Sequence, residues 1–119
     1  DITLLAAGAQ TAMLARTADI QIALNTPPGL LIHTKPVSKL ISRTILCDGL
    51  HMQQRPDGTI TAGGDFGGGS INADPVTGSR ELFSRLQGAL RSKTPLQFSH
   101  HTLGLRPTPA DGVGPPLQR

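Results

Sequence analysis

The stretch Arg55-Pro56-Asp57-Gly58 constrains this chain more than any other. Proline presets one backbone angle, and the glycine that closes the turn tolerates the positive φ a tight reversal needs. Extended runs flank it, Leu50 to Gln54 before and Thr59 to Gly63 after. The chain must double back at this point, which predicts a β-hairpin over roughly residues 50–64.

The other elements follow from periodicity and from breakers. Ile2 to Leu5 is a short apolar run closed by Ala6-Ala7-Gly8-Ala9, the pattern of a buried strand and a tight turn. Gln10 to Arg16 suits a short helix. Ile20, Ile22 and Leu24 alternate with Gln21 and Ala23, a strand pattern that Pro27-Pro28-Gly29 ends. Leu30 to Thr34 predicts a second strand and Thr44 to Cys47 a third, after which Asp48-Gly49 interrupts. Gly63 to Gly69 reads as a loop. Asp74 is placed to cap a helix whose first residue is Pro75, with Leu82, Phe83, Leu86 and Leu90 on one face. Thr94-Pro95 stops it, and Leu96 to Leu103 forms the last expected strand before a Gly/Pro-rich end. No βαβ alternation occurs. The expected fold class is α+β: a mixed, mostly antiparallel sheet with a β-hairpin and one main packing helix.

Composition narrows the functional classes. In 119 residues there are three Phe and neither Tyr nor Trp, so the core must be built from aliphatic side chains, and the chain is expected to lean on something else. The formal charge is +3, but the eleven Lys and Arg are scattered and no aromatic residues interleave with them, which argues against nucleic acid. Cys47 is the only cysteine, so no internal disulfide forms, and within a strand it is expected to be a small core residue. No apolar run reaches the roughly 18–20 residues of a membrane span, and no leader pattern is seen, so a cytoplasmic location is expected. The start at Asp1-Ile2-Thr3, without Met, fits an excised fragment.

Most motifs of chemistry are missing. Gly67-Gly68-Gly69 lacks the third small residue and the immediate helix of a dinucleotide fingerprint, because Asn72 stands in that place. His33, His51, His100 and His101 lack zinc-ligand spacing and read as surface or packed histidines, so no metal is expected. There is no Gly-x-Ser-x-Gly elbow, and no residue is assigned a catalytic role. Arg106 stands apart. It follows Leu103-Gly104-Leu105 at a strand end and precedes Pro107. A guanidinium cannot be neutralised and needs an anion, either a substrate carboxylate gripped in bidentate fashion or an internal partner such as Asp65 or Asp111.

Together these segments resemble a family. Gly104-Leu105-Arg106-Pro107-Thr108-Pro109-Ala110-Asp111-Gly112 resembles the GxRPxxxDG segment of the FAD-dependent D-amino-acid, glycine and sarcosine oxidase superfamily. The hairpin from Gln54 to Gly64 is similar to its second signature. The stretch from Asp1 to Ala9 resembles the passage from the flavin domain's last strand to the substrate domain, and Asp65-Phe66-Gly67-Gly68 resembles a loop of opine-oxidase-like and hydrogen-cyanide-synthase-like bacterial members. The resemblance implies that Arg106 pairs with the carboxylate of a small carboxylated amine. It also implies that Gly104 and Leu105 lie near the flavin ring, and that Ala7, Gly8 and Ala9 sit by the FAD. His51 stands where several amino-acid oxidases have a substrate-binding Tyr, and a histidine can donate a hydrogen bond to a carboxylate. The chemistry implied is hydride transfer from the amine-bearing carbon to FAD, giving an imine.

The resemblance divides the chain into residues 1–16, the end of the FAD-binding region; 17–103, a substrate-binding domain; and 104–119, a loop returning toward the flavin. The GxGxxG half is absent, so FAD is expected in the complete protein, with the missing FAD-binding domain as partner. The isolated chain is expected to be inactive, and to self-associate through apolar surface left uncovered. The rival reading is a non-catalytic, β-rich protein-binding module.

Overall fold

A computed structural model describes residues 2–64, 74–91 and 95–110. A short 3-10 turn, Gly8–Gln10, leads into helix α1, Thr11–Arg16. Strands β1 (Leu24–Asn25), β2 (Pro28–Thr34), β3 (Ile45–Cys47), β4 (Leu50–Gln54) and β5 (Ile60–Gly64) follow, then helix α2 (Pro75–Leu90) and strands β6 (Phe98–Leu105) and β7 (Thr108–Pro109). The chain divides into two units, Asp1–Pro28 with Leu105–Arg119, and Gly29–Gly104.

The larger unit is built on a sheet of order β3-β4-β5-β2-β6 among the described residues. The β3–β4, β4–β5 and β2–β5 pairs are antiparallel. The Lys35 N–H donates to Gln97 O at 2.8 Å, so the start of β6 lies beside the end of β2, again in the antiparallel sense. The α+β expectation, with its hairpin and main helix, holds. The predicted turn is present: Gly58 has φ +87°, and the Asp57 carboxylate accepts from Thr59 N at 2.9 Å. A Cβ on Gly58 would lie 2.7 Å from Val37 O, so the glycine is required by packing as well as by its φ.

A second reversal joins β3 to β4. Cys47 pairs with Leu50 across Asp48-Gly49, whose φ values are +50° and +69°. Positive φ at both central residues marks a two-residue type I′ turn, the kind that matches strand twist.

Successive strand residues point to opposite faces. Leu30, Ile32, Leu50, Met52, Ile60 and Ala62 share one face, and Leu82 and Leu86 of α2 close over it together with Ile41 and Leu96. Ile32, Ile60 and Leu86 are fully buried, each contributing about 1.5–3 kcal/mol by leaving water. The predicted stripe on α2 faces this core, with Phe83 and Leu90 partly buried beside it. The cap is as expected: Asp74 accepts from Val76 N at 2.9 Å and Thr77 N at 3.2 Å, with Pro75 at the first position. The helix stops before Thr94-Pro95, at Arg91, which takes a left-handed φ of +41°.

Three local expectations fail. Ile2 to Leu5 forms no strand, and Ile2 and Leu4 are exposed, because none of the described strands offers them a ladder. Of the alternating run from Ile20 only Leu24–Asn25 pairs, with β7. Cys47 is exposed rather than in the core, since it ends β3 at the sheet's edge. The loop expected from Gly63 to Gly69 falls outside the described residues beyond Gly64.

Candidate functional site

The face of the larger sheet opposite α2 carries a different set of side chains. Register puts Leu46, His51, Gly63 and Leu31 in one row across β3, β4, β5 and β2, and Gln53, Thr61 and His33 in the next. From β6, Thr102 and His100 reach the same place. His33 is only 8% exposed. Its Nδ1 lies 3.2 Å from the Thr61 hydroxyl and its Nε2 3.0 Å from the Thr102 hydroxyl. The His100 ring stacks on it, centroids 4.5 Å apart and planes 13° from parallel. Burial holds the His33 pKa below its usual value, and the nearby His100 and Arg55 act in the same direction. The folded protein therefore favours neutral His33. Its contribution to stability is complete above the unfolded value of about 6.5 and is lost as pH falls through the lower folded value.

His51 has a seat of its own. A Cβ built on Gly63 would lie 2.5 Å from His51 Cε1 and 2.6 Å from Leu31 Cδ2, so the imidazole and the leucine occupy the space a side chain would need. Both contacts are side-chain tips that can move. Gly63→Ala is expected to cost about 1–3 kcal/mol and to displace the His51 ring. Thermal melts and the His51 ring resonances would check this, and unchanged resonances would remove Gly63 as the seat.

Arg106 belongs to the smaller unit and is half-buried. Its backbone N–H donates to Pro27 O at 3.0 Å. Just beyond it β7 pairs with β1, Leu24 opposite Pro109 and Asn25 opposite Thr108, and Ala110 N donates to Ala23 O at 3.0 Å. The Arg-Pro segment is thus held by backbone bonds in the same unit. Asp65 and Asp111, its possible internal partners, lie outside the described residues. Leu105 is 59% exposed. In the same unit, Ala7 precedes the 3-10 turn, Gly8 opens it with φ +55°, and Gln10 N donates to Ala7 O at 3.0 Å.

Of the residues singled out from sequence, His51 and Gly104 share the larger unit. They lie on β4 and β6, three strand spacings apart, about 14 Å. Ala7, Gly8, Ala9, Leu105 and Arg106 belong to the other unit. Sequence reasoning missed His33, Thr61, Thr102 and His100 as one cluster. The available signal was that positions 31 and 33 of β2 share a face, while their partners on β6 come from far along the chain.

Among the described residues no group of His, Cys, Asp and Glu could hold a metal ion. His33 and His100 stack rather than converge on a point. No described helix is long and apolar enough to cross a membrane. For FAD, two glycines are informative. A Cβ on Gly8 or on Gly104 would meet nothing within 4 Å, and Gly104 has no positive φ. Neither backbone conformation nor packing among the described residues requires glycine at position 104, and a bare backbone there suits a flat group approaching closely.

No protein-family model matches the chain, and no curated protein matches it. Solved structures do. Glycine oxidase from Geobacillus kaustophilus superposes with a TM-score of 0.71 at 17% identity, over 91% of this chain and 30% of its own. Iminodiacetate oxidase from Chelativorans sp. BNC1 superposes with a TM-score of 0.65 at 18% identity, over 92% of this chain and 32% of its own. At that identity the likeness is one of fold, and the chain spans about a third of the length of either structure.

Proposed function

We propose that this chain is the substrate-domain part of a flavin-dependent oxidoreductase acting on a small carboxylated amine or amino acid. The observation that carries the reading is the superposition on two oxidases, glycine oxidase and iminodiacetate oxidase, along nine-tenths of the chain. The open space over Gly104, where neither φ nor packing among the described residues calls for glycine, supports it, because the family resemblance brings the cofactor near that position.

In this reading Arg106 grips the substrate carboxylate through its planar fork, and the backbone bonds around it limit how far it can swing. His51, seated over Gly63 in the larger unit, is a polar group that can donate to a carboxylated amine. Ala7, Gly8, Ala9 and Leu105 in the smaller unit, and Gly104 in the larger, carry no polar side chain that would obstruct the cofactor. FAD, when bound, supplies the hydride acceptor that turns the amine into an imine. The protein's own share is to bind and orient, so substrate recognition belongs to this chain and electron transfer to the cofactor.

The test uses the complete protein from which this sequence comes. It is expected to purify with flavin absorbance and to bleach under anaerobic addition of glycine, iminodiacetate or another carboxylated amine. A protein without flavin, or one whose flavin stays oxidised with every such amine, would overturn the reading. The 119-residue chain alone is expected to show no flavin absorbance.

A further inference from the structure

The stacked pair His33 and His100 is not used by the chemistry above, and its surroundings are unusual for two histidines. Among the described residues β6 is an edge strand of the larger sheet, joined on one side to β2. His33 of β2 touches β6 at two points, through Thr102 and through the His100 ring. The groups facing His33 can be named element by element. From β5 comes Thr61, which is uncharged; from β6 come Thr102 and His100; from the end of β4 the Arg55 cation acts on it. Every charge-bearing group among these is basic. The His100 ring has one further neighbour, the Ser99 hydroxyl, 3.1 Å from its Nδ1.

We propose that the His33–His100 stack is a proton-operated clasp that holds edge strand β6 on the sheet. The two rings lie face to face, and His33 is bonded at both nitrogens. Hydroxyls can rotate to accept from both ring nitrogens, so hydrogen bonding alone does not resist a proton. Resistance comes from burying the charge and from the like charges that follow on His100 and Arg55. Once His33 carries a proton, its buried charge favours separation across the 4.5 Å stack, and among the described residues β6 has no second sheet neighbour to retain it.

The experiment is amide hydrogen exchange on the 119-residue chain between pH 8 and pH 5, corrected for intrinsic rates. Protection at residues 98–105 is expected to fall severalfold, because His33 binds its proton more weakly with the strand docked than with it released. β4 and β5 are expected to keep their protection. His100→Phe retains a flat ring without the charge and is expected to diminish that fall by the share His100 contributes, the burial of His33 remaining. His100→Gln lacks both ring and charge, and is expected to weaken β6 at every pH. Constant β6 protection down to pH 5 would overturn the clasp. So would an undiminished fall in His100→Phe, or equal loss across β4 and β5. The readout needs no flavin, so a parent protein without oxidase activity would leave it intact.

Discussion

Replacing Gln54 with glutamate is expected to destabilise the protein by about 1–3 kcal/mol, although the two side chains have nearly the same shape. The Gln54 amide joins the hairpin to the loop before it. Its Oε1 accepts from Leu40 N at 2.7 Å and Ile41 N at 3.0 Å. Its Nε2 donates toward Val37 O at 3.2 Å, Ser38 O at 3.1 Å and Gly58 O at 3.1 Å. Two backbone N–H groups on one side and three carbonyls on the other fix which amide atom is which. Glutamate keeps the acceptor but turns the donor into an oxygen facing those carbonyls. The loop cannot simply withdraw, since Val37 N also donates to Gly58 O at 3.1 Å. Urea denaturation is the measurement. The neighbouring, exposed Gln53 serves as the control, because Gln53→Glu should change stability by no more than about 0.5 kcal/mol. A Gln54→Glu loss no larger than the control's would show that the amide is not what ties the loop down.

The second large effect concerns recognition. On the proposed function, Arg106→Ala in the complete protein is expected to raise KM for a carboxylated amine about a hundredfold, the scale of a lost charge-assisted bidentate pair. The value of kcat should move much less, because the contact serves ground state and transition state alike. Lysine should restore only part of the loss, as it offers a point charge in place of a planar fork. The segment's backbone bonds to Pro27 and Ala23 do not involve the guanidinium, so flavin content and melting temperature are expected to persist. An unchanged KM in a protein that still binds flavin would remove Arg106 from the substrate site.

What could be read from the sequence follows how local each feature is. The Pro-Asp-Gly turn, the Asp74 cap and the Leu82–Leu86 stripe involve residues within a turn or two of one another, and all three are present. Asp48-Gly49 carries an equally strong local signal, yet what looks like an interruption of one extended run is the two-residue turn of a second hairpin. Cys47 misleads because an apolar strand need not be an inner one, and neighbouring strands decide that. Ile2 to Leu5 has the apolar pattern without a described partner strand. For the site, Arg106 stands out by its chemistry and His51 by resemblance. The cluster of His33, Thr61, Thr102 and His100 is invisible in the sequence, because it exists only once β6 lies beside β2.

That adjacency bears on the order in which the sheet can assemble. Strands β3, β4 and β5 follow one another through reversals of a few residues, so they can pair early and independently. Roughly sixty residues separate β2 from β6, and closing so long a loop costs about 2 kcal/mol more chain entropy than closing a four-residue turn. On this ground β6 is expected to join a sheet whose other strands are already in register, its docking bringing the last of the histidine cluster into place.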